Sequence, residues 1–297
     1  MKSYKELLNE WAQNTSRLHE MTNDERSKLQ KVLLSMFKDI QEVCENNNLT
    51  LMLTGGSCLG AVRHKGFIPW DDDLDVMMPR ADYERLISLL QEGVLNEQYE
   101  YRYPNGKMES TCCFLKLYKK NTVFGFKDEA YYANGIYIDI FPIDGVPSSK
   151  LKKFLISHTA NALRLISNCV AEYKYPSYLQ KYALEESPEL NKLIKKRMVV
   201  GCVFSFIDHK TWKLWFDKLV SNEDNSEYLT IPTGRKLYNG EINKYDVFFP
   251  PRKCEFAGLI AKIPNDADAY LKNMYGDYMK IPPVSKRERH FIETLKF

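Results

Sequence analysis

One stretch, residues 51–79 (LMLTGGSCLGAVRHKGFIPWDDDLDVMMP), constrains this chain more than any other, because it sets a glycine-rich turn and a dense group of aspartates close together. In residues 49–53, β-favouring apolar side chains alternate with threonines. Thr54-Gly55-Gly56-Ser57 then breaks the pattern before a helix-like run. The expected local structure is strand, tight turn, helix start. If residues 71–76 are extended, Asp71, Asp73 and Asp75 share one face and Asp72 takes the other. Carboxylates that close repel unless a proton or a cation neutralises them, and a hard divalent cation with oxygen ligands is the natural partner. A charge run is otherwise read as a solvated loop. The apolar blocks Phe67-Ile68-Pro69-Trp70 and Val76-Met77-Met78 on either side argue instead that these acids end a buried strand.

The rest of the chain supplies elements to surround that stretch. Residues 3–12 form a short amphipathic brace. Thr22 with Glu25 fits a capping box opening a helix, and Leu29, Leu33, Met36, Phe37 and Ile40 recur at helical spacing until Asn46-Asn47-Asn48. Residues 80–93 repeat the pattern through Tyr83, Leu86, Ile87 and Leu90. Residues 99–103, 113–118, 122–126 and 135–141 are short, alternating or aromatic-rich, and read as strands. Helix, strand, helix and then several strands indicate a mixed α/β (α+β) sheet flanked by helices rather than a repeating βαβ array. From residue 150 the pattern turns helical, over 151–173, 188–206 and 210–220, with a boundary expected at Pro147-Ser148-Ser149. The expected organisation is a sheet-bearing core with N-terminal helices (1–149), a mostly helical insertion (150–225), and a C-terminal part returning to the core (226–297). In that last part residues 227–231 rejoin the sheet, 245–263 are β-like around Pro250-Pro251, and 266–274 form a helix ending near Gly276.

Composition excludes some classes of function. The 42 Lys and Arg against 39 Asp and Glu leave a net charge of +3, too mild to argue nucleic-acid binding. Seven cysteines, an odd number with no CxxC, read as reduced thiols of a cytosolic chain. The start, MKSYKELLNEW, lacks a signal peptide's apolar core, and no apolar window approaches the length of a membrane span. A soluble, cytoplasmic protein is expected.

Several residues outside the acid stretch are candidates for chemistry. In Tyr137-Ile138-Asp139-Ile140-Phe141 the isoleucines would point into a core and Asp139 to the opposite face; the alternative is a structural aspartate capping a loop. Asp144, between Pro142 and Gly145, reads as a turn residue. The Gly55-Gly56-Ser57 turn, leading into a helix N-terminus, suits a phosphate. Arg63, Lys65 and Lys116 are candidate phosphate ligands or ordinary surface cations. A tail with Lys286, Arg287, Arg289 and His290 either folds back onto a diphosphate or stays solvated. Tyr131, Tyr132 and Tyr137 beside Asp139, with Trp70 near the other acids, offer aromatic faces to a quaternary ammonium or are strand-edge packing.

A GGS turn after a strand, a DxD on the next strand and a third aspartate on a later strand together resemble the nucleotidyltransferase (polymerase-β-like) fold. More narrowly, GGSCLGAVRHKGFIPWDDDLDV, GIYIDIFPIDGVP and EFAGLIAKIPNDADAYLKNMYGDYMKIPP resemble the LicD family, which includes bacterial phosphocholine transferases and animal fukutin-related proteins. The resemblance spans about residues 30–290. It implies a transfer dependent on Mg²⁺ (or Mn²⁺) of a phosphorylated alcohol from a cytidine diphosphate donor, typically CDP-choline. The acceptor it implies is a hydroxyl of a teichoic acid or other cell-surface glycan, lipid-linked and met at the inner face of the membrane. Carried across by position, the catalytic and metal-holding acids fall on Asp73, Asp75 and Asp139. The phosphate turn falls on Gly55, Gly56 and Ser57, and Arg63 and His64 lie in the block that follows. Residues 150–225 match no part of the pattern and are the expected seat of acceptor choice. Two rivals stay open: another CDP-linked alditol phosphate, ribitol or glycerol, as the transferred group, and a catalytically silent nucleotide-binding scaffold.

Overall fold

The computed structural model describes residues 4–106, 112–125, 135–221, 226–283, 287 and 291–297. Helix α1 (Tyr4–Asn14) turns Leu7 and Trp11 onto Ala183, Leu190 and Ile194, so the N-terminal brace leans on the later helical segment rather than on the sheet. After the two-residue strand β1 (His19–Glu20), α2 (Asn23–Asn46) starts where the sequence puts it. The Thr22 hydroxyl accepts the Glu25 N–H, and the Glu25 carboxylate accepts the Thr22 N–H. Its stripe of Leu29, Leu33, Met36 and Ile40 is wholly buried.

Next come β2 (Met52–Leu53), α3 (Gly55–His64), β3 (Asp75–Pro79), α4 (Arg80–Gln91), β4 (Tyr99–Arg102), β5 (Leu115–Lys119), β6 (Val123–Gly125) and the long β7 (Tyr137–Val146). The helical segment holds α5 (Lys150–Lys174), α6 (Tyr178–Glu186), α7 (Pro188–Phe204) and α8 (His209–Val220). The chain then returns through β8 (Tyr228–Thr230), α9 (Leu237–Gly240), β9 (Asn243–Lys244) and α10 (Tyr245–Phe248). It closes with the hairpin β10 (Arg252–Phe256) and β11 (Leu259–Ile263), α11 (Ala267–Tyr275), β12 (Phe291–Ile292) and β13 (Thr294–Lys296).

The main sheet is mixed, ordered β2-β3-β7-β5-β4, with β8 on the second half of β7 and β9 beside β8. Among the described residues, the β3–β7 pairing within it is parallel and its other pairings are antiparallel. Strand β7 alternates as expected: Ile138 and Ile140 are fully buried on the side covered by α2 and α4, while Tyr137, Asp139 and Phe141 look out from the other.

Four expectations change. The strand foreseen over 49–53 shrinks to two residues, and residues 71–74 are not strand, because β3 starts only at Asp75. Residues 245–248 form a helical turn ahead of the β10–β11 hairpin instead of extended chain. Helix α6, not foreseen, carries its own capping box between Ser177 and Gln180. Asp144 is no turn residue: β7 runs on through it, and the Arg80 guanidinium grips its buried carboxylate with two bonds of 2.7 Å each. The seven cysteines are free thiols, and no helix among the described residues is long and apolar enough to cross a membrane.

Candidate active site

Asp75, the first residue of β3, is in register with Asp139 on the parallel neighbour β7. Paired residues of adjacent strands send their side chains to the same face about 5 Å apart. The row continues through Lys116 on β5, the antiparallel partner of Asp139, to Arg102 on β4. Lys116 Nζ lies 2.7 Å from Asp139 Oδ1 and 3.5 Å from the centre of the Tyr137 ring. Asp139 and Lys116 thus form a largely buried ion pair at the edge of the acid group.

The segment before β3 brings the remaining acids in. Outside the strand, burial still alternates, with Asp72 buried and Asp71 and Asp73 half-buried, while a carboxylate oxygen from each lies within 4.8 Å of the others. Asp71, Asp73 and Asp75 line a cavity of about 110 Å³ with Gly55 and Gly56. Burial, and after it the charges of Asp73, Asp139 and Asp71, push the Asp75 carboxyl well above the usual carboxylate range, with Lys116 opposing. Burial likewise raises Asp139 against the pull of Lys116. Hard oxygen donors crowded around a buried carboxyl suit a divalent cation, which would offset both the burial of Asp75 and the neighbouring charges that add to its shift.

The glycine turn borders this cavity closely. Gly55 sits at φ +51°, a left-handed conformation that side chains disfavour, and an added Cβ on Gly56 would stand 2.9 Å from Asp71 Oδ2. The Ser57 hydroxyl accepts the Asp75 N–H at 2.9 Å, joining the first turn of α3 to the start of β3. From α11, the Tyr270 hydroxyl bonds the Thr54 hydroxyl at 2.6 Å and accepts the Gly55 N–H at 3.2 Å. Thr54, the residue before α3, makes no capping bond to that helix.

Next to the acid cavity, and sharing Gly56, Asp71, Arg235 and Tyr275 with it, runs a groove of about 670 Å³. Arg63, Trp70, Arg235, Lys280 and Arg287 line it. The Arg287 guanidinium lies 4.1 Å over the Trp70 ring, and Arg63 donates to the Tyr278 carbonyl at 2.6 Å and to His64 Nε2 at 2.9 Å. Burial, then neighbouring Arg63, lowers the His64 pKa. A carboxylate pocket opening into a cationic, aromatic-lined groove has the charge to receive a diphosphate and a ring face on which a flat ring can stack.

The structure therefore sets Asp73 and Asp75 on one cavity with Gly55 and Gly56, pairs Asp139 with Asp75 on the neighbouring strand off that cavity's wall, ties Ser57 to the Asp75 N–H, and sets Arg63, Trp70 and Arg287 along the adjoining groove. Lys65 stands apart, an exposed left-handed residue just past the far end of α3, about 15 Å along the helix from the turn. Lys116 is committed to Asp139, so its first partner is a carboxylate. Tyr137 has the Lys116 ammonium over its ring. Tyr131, Tyr132, Arg289 and His290 lie outside the described residues. Sequence reasoning did not single out Arg235, Glu241 or Tyr275 on the cavity wall. Tyr275 lies within one of the blocks that carried the family resemblance, whereas Arg235 and Glu241 belong to a stretch without periodicity that gave no signal. Glu241 is buried, accepts the Lys236 N–H at 2.8 Å and is pushed by burial up to about 7.

The family described as LicD/FKTN/FKRP, nucleotidyltransferase domain, matches residues 48–164. The chain is similar to the lipopolysaccharide cholinephosphotransferase LicD of Haemophilus influenzae, 26% identical over 290 residues that cover 89% of this chain and 95% of that protein. It is also 32% identical to an uncharacterized protein of Rickettsia prowazekii over 111 residues, 37% of this chain and 40% of the other. The matched family domain holds Asp71, Asp72, Asp73, Asp75 and Asp139, whereas Arg235, Glu241, Tyr275 and Arg287 lie beyond it.

Proposed function

We propose that this chain, whose residues 48–164 match the LicD/FKTN/FKRP nucleotidyltransferase-domain family and which is 26% identical to a LicD cholinephosphotransferase over most of its length, is a metal-dependent phosphotransferase moving phosphocholine from CDP-choline to a glycan hydroxyl. The acceptor in this reading is a lipid-linked teichoic acid or another cell-surface glycan, met at the inner face of the membrane, and the product is CMP. The observation that carries it is the register of Asp75 with Asp139, beside Asp73 and the Gly55-Gly56 turn. The order of these parts along a mixed sheet supports a nucleotidyltransferase-type fold.

Asp73, Asp75 and Asp139 would hold Mg²⁺ or Mn²⁺, which when bound offsets the charge of the donor diphosphate. The remaining work falls to the chain itself. The N-terminus of α3 and the guanidinium groups of Arg63, Arg235 and Arg287 receive the diphosphate. Trp70 offers a ring face in the same groove. Lys116 opposes the upward push that burial gives the Asp139 carboxyl. The acceptor oxygen bonds to the β-phosphorus, the bond from that phosphorus to the bridging oxygen breaks, and CMP departs with the bridging oxygen. The acceptor's proton passes to a carboxylate of the pocket. The helical segment at 150–225 is the proposed acceptor side.

The test is CMP release with Mg²⁺ and a glycan acceptor, using CDP-choline, CDP-ribitol and CDP-glycerol in parallel. Release from CDP-choline is expected, falling about 10²- to 10³-fold or more in Asp75→Asn. Release from another donor alone would reassign the transferred group. Metal-dependent donor binding without release from any of them would make the chain a scaffold.

A further inference from the structure

The helical segment carries a charge and a surface that the transfer chemistry does not use. Between residues 150 and 220 there are 13 Lys and Arg against 6 Asp and Glu, a net of +7 against +3 for the whole chain, so everything else sums to −4. Helix α5 opens with Lys150, Lys152 and Lys153 and has no acid before Glu172. Interleaved with those lysines, Leu151, Phe154 and Leu155 are exposed (68, 58 and 55%), and Leu165 continues the same face at 51%. Their spacing makes one apolar stripe about 20 Å long. The opposite side of α5 is spent: Ile156 and Ala160 are buried against Phe216 and Val220 of α8.

A second apolar exposure lies where α7 meets α8. Arg197 pairs with Glu172, and Gly201 packs on the Cys169 carbonyl, so α7 runs antiparallel to α5 and its C-terminal end lies toward Leu165. There the rings of Phe206, Phe204, Trp212 and Trp215 touch in series, and the two end members, Phe206 and Trp215, are exposed.

We propose that this face, the α5 stripe flanked by Lys150 and Lys152 together with the Phe206–Trp215 aromatics, docks onto an anionic lipid bilayer. Lysine beside Phe, Leu and Trp on one helical surface is the composition of an element lying in the membrane interface, with ammonium groups at the phosphates and apolar side chains below them. A second copy of the chain is a poor occupant, because two faces of this charge would repel. The idea stands on this surface alone and needs no particular donor or acceptor.

The full-length chain, without substrates, is sedimented with vesicles of phosphatidylcholine, or of phosphatidylcholine with phosphatidylglycerol. Binding is expected only with the anionic lipid and should weaken with salt. Removing the charges of Lys150 and Lys152 by alanine should lower partition about 30-fold, and Phe154→Ser with Leu155→Ser about tenfold or more. Tyr245→Ser, an exposed aromatic outside the helical segment, should change nothing. Because the altered side chains are exposed, melting temperatures should stay those of the parent, and variants that melt lower are replaced by Phe206→Ser with Trp215→Ser. The proposal is overturned if the parent ignores anionic vesicles, if folded variants bind as the parent does, or if the chain is a dimer that these variants dissociate.

Discussion

At the scale of single residues the site stores electrostatic cost. Asp75 is held beside Asp73, Asp139 and Asp71 in a buried position, and its carboxyl is raised above its unfolded value. A carboxyl with a raised folded pKa keeps its proton to higher pH in the native state, so the metal-free protein loses stability as pH climbs from about 4 through the folded value. Asp75→Asn removes that cost. The variant, without metal, should exceed the parent by on the order of 1 kcal/mol near neutral pH, with the gap closing toward pH 4. Added Mg²⁺ should raise the melting temperature of the parent and leave the variant unmoved; urea denaturation at several pH values and melts with Mg²⁺ or chelator check both. These acids were legible because β7 alternates strictly, placing Asp139 opposite Ile138 and Ile140. What could not be read was the company they keep: residues 71–74 leave the strand, yet a carboxylate oxygen of Asp72 stays within 4.8 Å of those of Asp71 and Asp73, and the pairing of Lys116 with Asp139 depends on a cross-strand register that no local pattern encodes.

At the scale of elements, the glycine turn is held from afar. Gly55 takes a left-handed conformation at the first residue of α3, and its N–H together with the Thr54 hydroxyl is satisfied by one group, the Tyr270 hydroxyl of α11. Tyr270→Phe keeps the ring packing and leaves both partners short of a bond in a buried place. It should cost about 1–3 kcal/mol by urea denaturation, and relaxation of the turn should weaken donor binding with it. Helix α11 was visible in the sequence from its apolar spacing and the Gly276 stop, and its contact with the turn was not, since more than 200 positions separate them. Helix α2 was the reverse case, legible to its first residue because the Thr22–Glu25 box is local. Strand β2 was overread because its β-favouring run extends beyond the two residues that find a partner in β3.

At the scale of the whole molecule, sheet and helical segment must keep a fixed relation if the acids are to face an acceptor presented at a surface. Arg80, at the start of α4, supplies that relation. It binds both oxygens of Asp144 in β7, while its other terminal nitrogen reaches Asp217 of α8 at 2.9 Å. Asp144 is almost wholly buried, and burial raises its carboxyl against the pull of Arg80, so the carboxylate is stable there only with the guanidinium in place. Arg80→Ala strands it, and a loss of about 3–5 kcal/mol is expected from urea denaturation. Combining Arg80→Met with Asp144→Leu removes both charges, fills similar volume, and should return most of that stability. The double variant would still lack the bond to Asp217 on α8. If the Arg80 clamp sets the orientation of the helical segment, restored stability should come without restored transfer to a membrane-bound acceptor, whereas full recovery of both would reduce Arg80 to a packing residue.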